Sequence, residues 1–217
     1  MPELDATTEI IFVDDASTDS SYDLIKQLII GIEAYKLLQL PKHGGQTGCF
    51  QAGFGAARGE YIIRMDSDLQ DDPRDLQQFY KIIKTEQPDL VMGLREHRQH
   101  ARLIRLVTNL YDAIILVLFD STLFTNSSSF VAFRASHVKN IKLHRNDHRY
   151  LPLIVMSRCD AKTKQLIVSH RMRKHGRSRY STYRKLLLGL PEFILFLLRL
   201  SFGYYRTKNP SPLRGNT

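Results

Sequence analysis

Through the first half of the chain, short apolar runs of strand length alternate with segments of helical period, and that rhythm leaves few folds open. The runs lie at 9–13, 36–40, 61–65 and 89–93; helical segments start near Ser20, after Gly45 and at Pro73, the last continuing to about Glu86. Proline at a first helical turn costs nothing, because the N–H it lacks has no partner there anyway. Repeated βαβ units of this kind predict an α/β fold, a Rossmann-type, mostly parallel sheet with helices on both faces. Ligands of such sheets collect beyond the carboxyl ends of the strands. Both acidic clusters of the first half sit at such ends: Asp14 and Asp15 after the run 10–13, Asp66 and Asp68 after 61–65.

The second half is less regular. It predicts a long helix over 102–119, a strand over 128–133, a helix over 150–158 and a strand over 165–169. Arg102, Arg105, Asn109 and Asp112 share one face of the long helix, whose remainder is apolar, which suits packing on the sheet or a membrane-facing surface. A chain of 217 residues supports one domain with a substantial core. Cys49 and Cys159 are too few for a disulfide framework and lack zinc-site spacing, so a reducing setting is expected. The opening residues, MPELDATTEI, have neither the basic nor the apolar region of a secretory leader. The formal net charge of +9 calls for an anionic partner, with the acids gathered early and Arg and Lys late.

Three segments carry the chemistry. In RMDSDLQDDP (64–73), Asp66 and Asp68 stand two apart at a strand end, where both carboxylates can converge on one hard cation while Gln70 offers an amide oxygen. An all-oxygen donor set suits Mg²⁺ or Mn²⁺, which would bridge a nucleotide's phosphates and neutralise a departing diphosphate. VDDASTD (13–19) places Asp14, Asp15 and two hydroxyls after a strand, suited to a base or ribose and to capping the next helix. The run HGGQTGCFQAGFGAARG (43–59), with Gln46 near its start, supplies glycines for close approach to a ligand but lacks the Gly-Lys-Ser/Thr ending of a P-loop.

In this order and spacing, the three segments resemble the family 2 glycosyltransferases, and RMDSDLQDDP is similar to the donor-metal signature of the dolichol-phosphate mannosyltransferase branch. The resemblance runs from about Glu9 to about Leu190. It takes in VMGLR, ending at Arg95, and HRMRKHGRSRY (170–180), similar to the branch's acceptor-side segment. It implies a GT-A-like domain over residues 1–180 and a sugar moved with inversion from a UDP- or GDP-linked donor to a polyprenyl phosphate. Asp14, Asp15 and Gln46 would serve the nucleotide, and Asp66, Asp68 and Gln70 the metal. Arg95, Arg173, Arg177 and Ser178 would face the lipid phosphate. A guanidinium fork matches a phosphate geometrically, which supports that division. Nucleic acid is not expected as a partner, since an acidic metal cleft has no place in a passive nucleic-acid binder.

The C-terminal residues 181–217 are expected to form amphipathic helices at a membrane interface, followed by a tail. Lys185, Glu192, Arg199 and Arg206 recur every seven residues along one helical face, with apolar residues filling the other sides. A spanning helix would have to bury Glu192 and Arg199, so a peripheral or monotopic place on the cytoplasmic face is expected. Two departures from the family pattern stand out. Family members usually open with an apolar strand ending in a Pro-x-Tyr-Asn-Glu-like stretch well before the VDD motif, whereas eight residues precede Glu9 here; a fragment, a mis-started product or a reduced protein is therefore expected. The branch also carries an aspartate shortly before a Phe-Arg pair, where FTNSSSFVAFR (124–134) offers Thr125, Asn126 and serines. A lipid phosphate, with a second pKa of about 6, needs positioning more than deprotonation, and Asn126 is the residue placed to orient it. Two rival readings remain open on the sequence: a family 2 transferase acting on a polysaccharide or protein, and an inactive binding protein derived from, or truncated from, the transferase.

Overall fold

The structure is a computed structural model that describes residues 8–95, 113–117, 127–159, 161–169 and 182–205. Six strands and five helices of two or more turns account for most of these residues. They follow in the order β1 (Ile10–Asp14), α1 (Ser21–Ile29), β2 (Tyr35–Gln39), α2 (Gly45–Ala56), β3 (Tyr61–Arg64), α3 (Leu76–Glu86), β4 (Leu90–Arg95), β5 (Ser127–Arg134), α4 (Leu151–Arg158), β6 (Thr163–Val168) and α5 (Thr182–Ser201). Single turns at Pro73–Asp75, Ala135–Val138 and Asp147–Tyr150 complete the set, and residues 113–117 are helical.

The expected α/β layering is present, with the strands divided between two sheets. β1 and β2 pair in parallel, and β3, β5, β4 and β6 form the second sheet in that spatial order. β5 runs antiparallel to both β3 and β4, while β4 and β6 are parallel. The carboxyl ends of β3, β4 and β6 therefore lie along one edge of the sheet, together with the amino end of β5.

β4 and β5 are buried on both faces, and side chains alternate between two apolar layers, as the period of two requires. Leu90, Met92, Val131 and Phe133 point to the layer holding Phe54 of α2, Leu151, Ile154 and Val155 of α4, and Phe193 and Phe196 of α5. Val91, Phe130 and Ala132 point the other way, onto Phe79 and Ile83 of α3. Phe79 and Phe130 stack with centroids 4.5 Å apart. Each large side chain enclosed in this way contributes roughly 1.5–3 kcal/mol. Gly93 sits at an irregularity in the β4–β5 pairing, where a Cβ would meet the Phe130 carbonyl oxygen at 2.8 Å, so no larger residue fits. The β1–β2–α1 portion is more lightly packed: in α1 no residue is fully buried, and Leu28 and Ile30 are exposed.

Candidate functional site

Each acidic motif lies at the end of a strand, as expected, and hydrogen bonds by way of α2 and the Asp147–Tyr150 turn link the first to Arg64, at the foot of the second. Asp14 ends β1 buried, its carboxylate accepting from Ser17 N at 3.0 Å and from Gln39 Nε2 at 3.2 Å. Hydrogen bonding from Ser17 holds this carboxyl below the usual carboxylate range in spite of its burial. Asp15 spans the turn into α2: Oδ1 accepts from Gly44 N at 2.7 Å, Oδ2 from Gly45 N at 3.0 Å, and His43 Nδ1 lies 2.8 Å from Oδ2. A carboxylate over the first N–H groups of a helix satisfies donors that have no partner within the helix and complements its dipole. Gly45 has φ +65°, a conformation glycine adopts without the steric cost a Cβ would add. Gln46 is exposed in the first turn of α2, and Cys49 lies one turn further on.

Burial and the charges of Asp15 and Asp14 push the Cys49 thiol up to about 11. In a Cys159→Ser chain, Cys49 should react with iodoacetamide roughly a hundredfold more slowly at mildly alkaline pH than an ordinary thiol of pKa about 8.5. Its rate should still be climbing tenfold per pH unit where an ordinary thiol has levelled off; a plateau near pH 9 would contradict this placement.

From α2 the linkage continues. The buried Thr47 hydroxyl lies 2.8 Å from His148 Nδ1 and accepts from Asn146 N at 3.0 Å. Burial, with the nearby charges of Arg64 and Arg149, pushes His148 down to about 4, so its ring is neutral at physiological pH. Arg64, the last residue of β3, donates from Nη1 to the His148 carbonyl and from Nε to the Ser129 carbonyl, both at 2.9 Å, with its guanidinium 4.5 Å from the Phe50 ring centroid. Burial draws its pKa down, while the charges of Asp66 and Asp71 oppose that shift. Arg64 thus holds the base of the acidic loop electrostatically.

The loop turns through Leu69, whose φ is +62°. Asp68 Oδ1 accepts from Gln70 N at 3.2 Å. Asp71, buried, accepts from the Ser129 hydroxyl at 2.9 Å, and Asp72 caps the Pro73–Asp75 turn and pairs with Arg74 at 2.7 Å. Buried Asp75 accepts from Ser169 N at 2.7 Å, directly after β6. Arg95 ends β4 opposite Val168, and among the described residues its buried Nε meets no acceptor. Arg95 and Ser169 therefore lie at the same end of the sheet as the acidic loop. β5 begins at Ser127 along the same edge, opposite Leu94.

Among the described residues, no three His, Cys, Asp or Glu side chains gather around one point. Asp66, Asp68 and Gln70 remain an all-oxygen set with two carboxylates, a donor set that fits a cation whose shell is completed by substrate phosphates and water. Asn126, Arg173, Arg177 and Ser178 lie outside the described residues, as do Arg206 and most of the predicted helix 102–119. Arg64, Thr47, Asp75 and His148 escaped the sequence reading. Arg64 left one signal, a charge ending an otherwise apolar strand just before the Asp-x-Asp pair.

Residues 4–142 match the family described as Glycosyl transferase family 2. The chain belongs to that family. It is 31% identical over 195 residues to a dodecaprenyl-phosphate galacturonate synthase of Rhizobium johnstonii, covering 87% of this chain and 57% of that protein. It is 25% identical over 213 residues to an undecaprenyl-phosphate 4-deoxy-4-formamido-L-arabinose transferase of Pseudomonas syringae, covering 98% of this chain and 59% of that protein. The family 2 chain thus spans a little under three fifths of these curated relatives. Among solved structures, a mycobacterial protein aligns with TM-score 0.62 at 17% identity, covering 88% of this chain and 64% of that one. The glucosyl-3-phosphoglycerate synthase of Mycobacterium tuberculosis, complexed with Mn²⁺, uridine-diphosphate-glucose and glycerol 3-phosphate, aligns with TM-score 0.58 at 16% identity, covering 88% and 68%. These likenesses establish the GT-A-like fold that the family implies.

Proposed function

We propose that this family 2 chain transfers a glycosyl unit from a nucleoside diphosphate sugar to a polyprenyl phosphate at the cytoplasmic face of a membrane, with inversion at the anomeric carbon. The observation that supports the reading is the bond from Ser169 N to Asp75, with Arg95 beside Val168: Ser169, which precedes the basic 170–180 stretch in the sequence, is tied to the turn that follows the acidic loop. A phosphate acceptor held by arginines would then meet a donor held by carboxylates. The two curated relatives, both polyprenyl-phosphate sugar transferases by name, support that acceptor class.

In this reading Asp14, Asp15 and Gln46 line the nucleotide side, Asp15 also ordering the turn that forms it. Mg²⁺ or Mn²⁺ held by Asp66, Asp68 and Gln70 would offset the charge of the departing diphosphate. Arg95, Arg173, Arg177 and Ser178 hold the lipid phosphate, and Asn126 orients it. An oxygen of that phosphate attacks the anomeric carbon from the side opposite the leaving diphosphate. One C–O bond forms as the other breaks, and no covalent enzyme intermediate is needed.

The test is transfer of labelled sugar from a panel of UDP- and GDP-sugars to polyprenyl phosphates by the purified chain with Mn²⁺, alongside calorimetric titration of UDP and GDP. Saturable lipid labelling, with one nucleotide bound more tightly in the presence of metal, is the expected result. Nucleotide binding with labelling of a polysaccharide instead would move the acceptor class. Absence of both would make the chain a non-catalytic relative.

A further inference from the structure

The charged face of the amphipathic helix α5 turns toward the protein. Glu192 and Arg199, which share one helical face, are directed onto the segment 144–149. Glu192 accepts from Asn146 Nδ2 at 2.5 Å and from Arg149 Nη1 at 2.9 Å, while Arg199 donates to buried Asp147 at 2.9 Å. Phe193 and Phe196 fill the core against Tyr150. Outward on the described part of the helix lie Ile194, Leu195 and Leu198, each about half exposed, and Phe202, just past the helix, is 86% exposed. Helical spacing puts Ile194, Leu198 and Phe202 on one side, with Leu195 between them and the charged flank.

A protein that holds its own charges inward and shows leucine, isoleucine and phenylalanine outward is built to meet an apolar phase. The border of this face has a definite charge. The segment 139–149 contributes exposed Lys142 and Arg145, its Arg149 is paired with Glu192, and its one acid, Asp147, is buried and paired with Arg199. Among the described residues no helix is long and apolar enough to cross a membrane. The geometry points to this face as the surface by which the protein sits on an anionic bilayer: Ile194, Leu195, Leu198 and Phe202 enter the acyl boundary, and Lys142 and Arg145 meet lipid phosphates. A second copy is the poorer occupant, since it would bring a chain of net charge +9 against another. The inference deepens the proposed function by assigning its membrane-contact surface, and its test involves no sugar transfer, so either can fail without the other.

The full chain is sedimented with vesicles of mixed phosphatidylglycerol and phosphatidylcholine, and with phosphatidylcholine alone. Its mass in solution is followed by light scattering. Binding to the mixed vesicles should fall about tenfold or more in the double variant Leu198→Gln with Phe202→Gln, and comparably in Lys142→Gln with Arg145→Gln. Both pairs are at the surface, and an unchanged melting temperature confirms folding. Unaltered binding of the Leu198 and Phe202 variant would overturn the assignment, as would no vesicle binding at all. Concentration-dependent dimers abolished by that variant would give the face to a second copy instead.

Discussion

Asp147→Ala should lower the free energy of unfolding by about 3 kcal/mol, because it strands the partly buried Arg199 and removes the anchor of α5. Asp147 is fully buried; its carboxylate binds Arg199 Nη2 at 2.9 Å, Tyr205 Oη at 2.8 Å and His144 N at 2.6 Å. Burial and the bond to Asp147 raise the pKa of Tyr205, so its hydroxyl stays protonated and donates. With that acceptor gone, three donors lose their partner in a site that water barely reaches. For a chain of this size the loss should lower Tm by roughly 10 °C. Chemical denaturation gives the energy, and limited proteolysis should show α5 cut first. A variant as stable as the wild type would mean that the apolar contacts of Phe193 and Phe196 alone hold the helix. Asp147→Asn, which keeps the volume and part of the hydrogen bonding, should lose less.

Asp68→Asn should reduce turnover by about 10²–10³-fold in the transfer assay, the magnitude typical of removing one electrostatic stabiliser of a developing charge. The substitution keeps the side-chain volume and the acceptor toward Gln70 N, so the loop's shape should survive while its charge toward a cation halves. The nucleotide's metal-dependent gain in affinity should shrink in parallel. Gln70→Ala, which removes a neutral oxygen, should have a smaller effect. Unchanged turnover together with an unchanged metal requirement in Asp68→Asn would remove this loop from the donor site.

Comparison of particular elements shows why some features could be read early. The Asp-x-Asp pair was legible because both its residue types and its place after an apolar run are local properties. The boundaries of β1, β2, β3, β4 and α4 fall within two residues of the periodic segments for the same reason, and α3 ends at Glu86 but starts three residues after Pro73. Asp15 was legible as a candidate position but not as the support of the α2 turn, because its partners Gly44 and Gly45 lie some thirty residues away. His148 had no local signature at all; it acquires one only when the Asp147–Tyr150 turn docks on Thr47, about a hundred residues distant.

The C-terminal helix is the clearest case. Its heptad of charges is visible in the chain, yet periodicity reports that two faces differ, not which face turns inward. That choice depends on whether the rest of the molecule offers partners, and Asn146, Asp147 and Arg149 do so. The antiparallel direction of β5 is likewise absent from its strand pattern, because a period of two reads the same in either direction. By itself, then, the sequence determined the α/β class, the element positions and the acidic strand ends, all set by side-chain period and short-range chemistry. The tertiary structure alone decided the division of the strands into two sheets, the linkage of Asp15 to Arg64 through Thr47 and His148, and the outward apolar face of α5. Each of these rests on hydrogen bonds and burial between residues far apart in the chain.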